Sequence, residues 1–493
     1  METRNNQSID LSKEEFKQIG HKLIDDLADF FRQMPLGKVT SGESPSALQK
    51  ILEQKPFPAE SLNSKEFLSS TTQMLAEHSL FNGHPKFMGY ITSSPAPLGV
   101  LSDLLASAMN SNVGAQILSP MATEIEKQTI GWLCELIGVP TSFGGVLVSG
   151  GNMANFTAFL AARNAKASSE FKQKGVDTAD KKLAFYCSKS THTWIDKACV
   201  LFGHGTDSVR WIEADEHNKM RLDKLEEAIK MDKQHGIIPA IVIGTAGDVS
   251  TGAVDDLEQI AVICAKHEIW FHIDGAYGAP AAVLPELASV FKGMELADSI
   301  AIDPHKWLYA PLEAGCTLVK NPQHLVNTFT SHPEYYNFSH DEGGRETNFF
   351  EYGLQNSRGF RALKVWTVLQ QVGRNGYQGL IRDDVALAKY FFELAEEHPD
   401  LQAMTHNLSI TTLRFVPHNL GLKAEERNGY LNELNKSLLD ALQKEGEVFL
   451  SNAVLDGKYC LRACIVNFRT TKRDVVETID LIAARGQQLF AAG

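Results

Sequence analysis

The sequence contains no run of about 18 apolar residues, so none of its segments reads as a membrane-spanning helix. Cysteine is scarce, with seven residues scattered at 134, 187, 199, 264, 316, 460 and 464. An odd, sparse set argues against a disulfide framework and for a reducing compartment. Cys460 and Cys464 are four apart, but no second pair or nearby histidine completes a zinc site, so no metal is expected. Positive charge is in deficit: 47 basic against 60 acidic side chains give a formal charge of −13. That excludes a nucleic-acid surface as the main business of the chain. There is no G-x-x-x-x-G-K-[ST] loop, which disfavours an ATPase. There is no internal repeat and no low-complexity segment. Met1 to Asp10 is polar and lacks the apolar core of a secretory signal. The resulting expectation is a cytoplasmic protein with no membrane and no nucleic-acid partner.

What is present is ordinary globular material. At 493 residues, 43% hydrophobic and 22% charged, the chain is long enough for two or three domains. Residues 11–34 read as one amphipathic helix, with Phe16, Ile19, Leu23, Leu27, Phe30 and Phe31 at helical spacing. Ser12 with Glu15 fits a capping box at its start. Packing on its own domain and packing across a dimer both satisfy that apolar face. Two more helices are expected within 96–137. From about 145 to 320 strands and helices alternate, with strands at Gly145–Ser149, Leu183–Cys187, Ala240–Gly244, Ile269–Ile273 and Ser299–Ile302. Helices are expected at Ala154–Lys166, Leu222–Met231 and Leu257–His267. This is the pattern of an α/β domain with a largely parallel sheet. Two helices follow, Phe360–Val372 and Ile381–Glu396. The last hundred residues read as a small α+β domain, with strands at Ser409–Val416 and Leu461–Phe468 and helices at Leu431–Glu445 and Val475–Gln487. The expected division is an N-terminal helical segment over 1–85, a large α/β domain over 86–375 and a small α+β domain over 376–493.

Two segments of that alternating region carry chemistry. Lys306 stands in Asp303-Pro304-His305-Lys306-Trp307, and 32 residues earlier Asp274 stands in His272-Ile273-Asp274-Gly275-Ala276. Each follows an apolar run, so each sits where a buried strand ends, and ligands of parallel sheets bind beyond those ends. Pyridoxal phosphate (PLP) needs this pair: a lysine for its aldehyde and an acid for its pyridine nitrogen. A strand-end acid also serves as a helix cap, so Asp274 has two readings. Gly144 to Asn155 reads as strand, small-residue turn and helix, where backbone N–H groups and the helix dipole favour a phosphate. A purely structural turn fits the same pattern. His192 follows the strand 183–187, placed either to stack on a ring or to hydrogen-bond within the fold.

Taken together these segments resemble the group II PLP-dependent amino acid decarboxylases, the family of aromatic L-amino acid, histidine and glutamate decarboxylases. The resemblance runs through His84-Pro85-Lys86-Phe87-Met88-Gly89-Tyr90, Ser119-Pro120, Thr123–Glu126, Ser149–Asn155, His192, Thr245, Ser250–Ala253, His272–Gly278, His305-Lys306-Trp307 and Ser357–Lys364. It implies fold type I and PLP as cofactor. It further implies Lys306, Asp274, His192 and Tyr335 as catalytic residues, with Tyr335, or its neighbour Tyr336, returning a proton from a mobile loop. Gly150, Gly151, Asn152, Thr245, Ala276, Asp303 and His305 surround the cofactor in this reading, and His84, Tyr90, Thr92, Ser93 and Trp307 contact the substrate. It also implies a homodimer with shared active sites. Three positions depart from the family pattern. Gly359 replaces an arginine, Asp303 stands where animal aromatic decarboxylases have asparagine, and Asn112-Val113-Gly114-Ala115 replaces an aromatic-rich segment.

The expected function is decarboxylation of an L-amino acid, aromatic in the leading reading. The alternatives are an acidic or sulfinate substrate (glutamate, aspartate, cysteine sulfinate) and an aldehyde-forming decarboxylation–deamination on the same fold. A binding protein without turnover is the alternative of another class, against which intact Lys306, Asp274 and His192 argue.

Overall fold

The computed structural model describes residues 9–53, 55–60, 62–167, 171–176, 182–330 and 346–492. Eleven strands are described. The first seven are β1 (Gly144–Val148), β2 (Leu183–Ser188), β3 (Val209–Ile212), β4 (Ile238–Thr245), β5 (Trp270–Asp274), β6 (Ser299–Ile302) and β7 (Gly315–Val319). They form one sheet in the order β1-β7-β6-β5-β4-β2-β3. The pairs β2/β3, β2/β4, β4/β5 and β5/β6 are parallel. Only β7 runs against its neighbours β6 and β1. The α/β expectation therefore holds, with one antiparallel strand inserted next to the edge strand β1.

The alternation of a strand's side chains explains why helices cover both faces of this sheet. Leu183, Phe185 and Cys187 of β2, with Ile241 and Ile243 of β4, pack into one core. Ala184, Tyr186 and Val242, the residues between them, pack into another. Phe156 and Phe159 of helix Gly151–Lys166 fill the first, and Leu257, Ile260 and Cys264 of helix Leu257–His267 fill the second. The central strands are covered on both faces, so most read as short apolar runs, with His272 of β5 and Thr317 of β7 as buried, hydrogen-bonded exceptions.

A third core lies in the C-terminal part. There β8 (Leu401–Asn407), β9 (Ile410–Phe415), β10 (Ser451–Leu455) and β11 (Lys458–Cys464) form an antiparallel sheet in the order β10-β11-β9-β8. Leu387 and Phe391, from the far half of helix Arg361–Glu397, pack on it. So does Met88, which brings the segment around Tyr90 against this domain. The long helix changes direction at Gly373, whose φ of 63° is outside helical geometry.

Helix Lys13–Gln33 begins at Ser12 with the expected capping box: the Glu15 N–H donates to Ser12 Oγ at 3.2 Å and the Ser12 N–H to Glu15 Oε2 at 3.0 Å. Within one chain none of its residues is buried. All seven cysteines are free and buried. Among the described residues no helix is long and apolar enough to cross a membrane, and no cluster of three metal-ligating side chains occurs.

Candidate active site

The carboxyl ends of β2, β4, β5 and β6, and the turn after β1, open on one cavity of ≈ 480 Å³. Strand ends converge there because a parallel sheet with helical crossovers returns each strand in the same direction, which stacks the following loops on one edge.

Lys306 and Asp303 come from the loop after β6. Lys306 Nζ lies 3.1 Å from Asp303 Oδ2, and Asp303 is 1% exposed while Lys306 reaches into the opening. Asp303 Oδ1 is buried and accepts no hydrogen bond among the described residues. Asp274 ends β5. Its Oδ2 accepts the indole N–H of Trp194 at 2.8 Å, and its Oδ1 the backbone N–H of Ala276 at 3.2 Å. The acid thus caps its own turn and still lines the cavity.

The turn Gly150–Gly151 opens helix Gly151–Lys166 with no side-chain cap, which leaves the first N–H groups for a ligand. Glycine is required by close approach. A Cβ on Gly151 would sit 2.5 Å from Asp303 Oδ2, and one on Gly315 would sit 2.6 Å from Gly150 Cα. Gly150 itself has φ 150°, which L side chains rarely adopt.

Two histidines face this turn and the sheet edge. His305 Nδ1 lies 2.7 Å from the Ala314 carbonyl, and its Nε2 lies 3.8 Å from Asp303 Oδ2. His192 Nδ1 accepts the Trp194 N–H at 3.3 Å, so a neutral ring carries its hydrogen on Nε2. Burial holds both below the ordinary histidine range, against the pull of Asp303 on one and Asp274 on the other. Beside His192, Thr191 Oγ1 and Thr245 Oγ1 meet at 3.3 Å.

The structure brings Lys306, Asp274, His192, Ala276, Gly150, Gly151, Asn152, Thr245, Asp303 and His305 onto one wall, as the sequence reading expects. Tyr335 and Tyr336 lie outside the described residues, as do 341–345 of the expected mobile stretch. The five expected substrate contacts do not line the cavity of the single chain, whereas Ile91 does. Two of them are committed elsewhere. His84, 2% exposed, has Nε2 3.1 Å from the Gly37 carbonyl and accepts the Lys86 N–H on Nδ1 at 3.1 Å. Trp307, 0% exposed, donates its indole N–H to Asp384 Oδ2 at 2.8 Å. Ser93 is buried and donates to the His305 carbonyl at 3.0 Å, Tyr90 is exposed, and Thr92 is half-buried.

Sequence reading missed Trp194, although it follows His192 by two residues and is the donor to Asp274. It also missed His272, which has a tautomer set by its neighbours. The Trp270 N–H donates to Ser299 Oγ, the Ser299 hydroxyl donates to His272 Nδ1 at 2.9 Å, and His272 Nε2–H donates to Asn155 Oδ1 at 2.7 Å. The departures from the family pattern also find reasons. A Cβ on Gly359 meets nothing within 4 Å, so a side chain would have room there. In the segment 112–115, Asn112 Oδ1 accepts the N–H of Gly114 and of Arg358 at 3.2 and 3.0 Å. A Cβ on Gly114 would sit 2.4 Å from the Asn356 carbonyl oxygen.

Residues 45–416 match the model of the pyridoxal-dependent decarboxylase conserved domain. The aromatic-L-amino-acid decarboxylase of Bacillus atrophaeus is 32% identical over 484 residues, covering 98% of each chain. Tyrosine decarboxylase 3 of Petroselinum crispum is 32% identical over 465 residues, 92% of this chain and 88% of that one. Among solved structures, Oryza sativa TDC with PLP and tryptamine superimposes with a TM-score of 0.89 at 27% identity, covering 97% of this chain and 99% of that one. The residues present fit the cofactor. An uncapped glycine turn suits its phosphate, a cavity lysine its aldehyde and an oriented carboxylate its ring nitrogen. A lysine and an acid delivered by adjacent strand ends, opposite a glycine turn, thus match in kind what the comparisons match in sequence: this chain belongs to the pyridoxal-dependent decarboxylase family and is a lyase that removes CO2 from an L-amino acid with PLP as its cofactor.

Proposed function

We propose that the substrate is an aromatic L-amino acid and that the working unit is a cytoplasmic homodimer. The observation that carries the substrate class is the apolar part of the cavity lining, Ile91, Val249 and Leu312, with Glu313 as a carboxylate beside it. The aromatic and tyrosine decarboxylase names of relatives 32% identical to this chain support it. An exposed apolar face supports the dimer: Leu101, Leu104, Leu105, Ile117, Leu118 and Met121 are each at least 47% exposed in one chain.

In this reading Lys306 would hold the cofactor through Nζ, the amine that reaches into the cavity. Gly150, Gly151 and Asn152 offer N–H donors to the phosphate, with His305 Nε2 beside them. Asp274, fixed by Trp194, keeps a negative charge against the ring nitrogen. His192 and Ala276, which line the same cavity, would flank the ring. PLP, when bound, supplies the electron sink for the bond broken as CO2 leaves. Tyr335 returns the proton to the substrate carbon.

Screening the purified protein for CO2 release from the standard amino acids, L-DOPA and 5-hydroxytryptophan tests the substrate class. The expected outcome is the highest kcat/KM on an aromatic amino acid. A best substrate among glutamate, aspartate and cysteine sulfinate replaces this reading. Lys306→Ala should abolish turnover on every substrate, and substantial residual activity would remove Lys306 from its role.

A further inference from the structure

We propose that Asp384 is the positioning residue for Lys306, clamping the loop that carries it to the long helix and to the C-terminal domain. The inference rests on the reading of Lys306 as the cofactor-holding lysine.

Asp384 lies in the far half of helix Arg361–Glu397 and is 2% exposed. Its Oδ2 accepts the Trp307 indole N–H at 2.8 Å and the Tyr309 hydroxyl at 2.6 Å. Two turns earlier on the same helix, the Tyr377 hydroxyl donates to the Leu308 carbonyl at 3.0 Å. The three residues that follow Lys306 are therefore each tied to this one helix. The ties hold a conformation that the loop would not keep alone. Tyr309 has φ 58°, a left-handed backbone that is costly for a bulky aromatic residue and persists only where its surroundings impose it.

The clamp reaches further on both sides. The Trp307 ring stacks on Tyr277, with centroids 5.0 Å apart and planes at 12°, and Tyr277 is three residues past Asp274. The Tyr277 hydroxyl lies 2.6 Å from Ser409 Oγ and accepts the Ser409 N–H at 3.0 Å, in the C-terminal domain. The lysine loop and the aspartate loop are thus locked to each other and to the smaller domain.

Asp384 has no cationic partner among the described residues, and burial pushes its carboxyl up to about 7. A carboxylate buried without a cation costs stability, and an apolar side chain would fill the space more cheaply. What the carboxylate supplies is one oxygen that accepts two donors flanking the lysine loop.

The test uses the holoenzyme of Asp384→Leu, Asp384→Asn and Tyr309→Phe, with Lys306→Ala as control. Three quantities are read: kcat and KM separately, the rate of PLP loss on dialysis, and the melting temperature. Asp384→Leu should lower kcat about 10- to 100-fold with KM within about threefold, because the amine is misplaced while the substrate walls stay. PLP loss should quicken about tenfold, since misplacement of the amine weakens its hold. Asp384→Asn keeps an oxygen where Oδ2 stands and should restore both quantities to within about threefold of wild type. Tyr309→Phe removes one of the two bonds and should fall between. A folded Asp384→Leu with wild-type kcat and PLP retention overturns the proposal. If that variant does not fold, Tyr309→Phe decides: no change in either quantity overturns it. Lys306→Ala that retains turnover overturns the underlying reading instead. Loss of turnover in Lys306→Ala beside unaffected Asp384 variants overturns the clamp alone.

Discussion

The indole of Trp194 donates to Oδ2 of Asp274 at 2.8 Å, joining the start of helix Trp194–Leu201 to the end of β5. A carboxylate held by a fixed donor cannot rotate away from the cavity it faces. Trp194→Phe keeps the ring and removes the donor, so kcat should fall about tenfold with the fold intact. Asp274→Asn should cost about two orders of magnitude while PLP stays bound, because the ring nitrogen loses its charge partner. Steady-state kinetics checks both. Near-normal turnover in Asp274→Asn would reduce Asp274 to the cap of the Ala276 turn.

Gly151→Ala places a methyl group 2.5 Å from Asp303 Oδ2. Alanine suits the first turn of a helix, so the fold should survive. The Asp303 carboxylate has to move, and Lys306 with it. A kcat lower by about 10- to 100-fold at an unchanged melting temperature is the expected result. Wild-type kinetics would show that the turn yields without disturbing the lysine.

Burial lowers the pKa of His272 from 6.5 to about 4. Between those values the unfolded chain binds a proton that the folded chain refuses, so stability falls as pH falls through this window. At pH 4 the loss from this one group is about 3 kcal/mol. His204, lowered to about 4 by burial, acts with the same sign. Asp255 and Asp384, raised to about 6 and about 7 by burial, act with the opposite sign, because the folded state binds their protons more tightly. The prediction is therefore a difference. Denaturant melts of His272→Gln should show a shallower loss between pH 6.5 and pH 4 than wild type, and parallel curves would remove His272 from the account.

Tyr335→Phe should leave PLP binding intact and change the product. With its proton delayed, the substrate carbon meets oxygen, and aldehyde, ammonia and peroxide should appear beside the amine. Product analysis by chromatography with a peroxide assay reads this directly. Amine alone at the normal rate assigns the proton to Tyr336 or to water.

Helix Lys13–Gln33 is amphipathic, yet its apolar residues Ile19, Leu23, Leu27, Phe30 and Phe31 are only half-buried within its own chain. Its apolar side chains would each contribute about 1.5–3 kcal/mol on full burial against a second copy. Light scattering of the full-length chain should give a dimer. Removal of residues 1–34 should give monomer or aggregate and abolish activity together. An active, monodisperse monomer of the full-length chain would end the shared-site reading.

The central sheet and the chemical residues at its edge were legible in the sequence, and for one reason. A strand covered on both faces is a short apolar run, and its end is marked by the first polar residue. Asp274, His192 and Asp303 were found that way, Thr245 by the resemblance to the family, and the glycine turn before helix Gly151–Lys166 by its composition. Other elements gave no such signal. β7 reads Gly-Cys-Thr-Leu-Val and runs antiparallel between β6 and β1, a placement no local pattern encodes. The helix through Gly373, Gly376 and Gly379 looked interrupted because glycine weakens helices, yet after the kink at Gly373 packing carries it on to Glu397. The supports of the site were the least legible. Trp194 reaches Asp274 across 80 residues, Trp307 reaches Asp384 across 77, His272 reaches Asn155 across 117 and Tyr277 reaches Ser409 across 132. Sequence alone determined which groups are candidates for the chemistry, because strand ends are marked by a local pattern in the chain. Which groups hold them still was decided only when distant segments packed together, since a hydrogen bond between side chains depends on their separation in space and not along the chain.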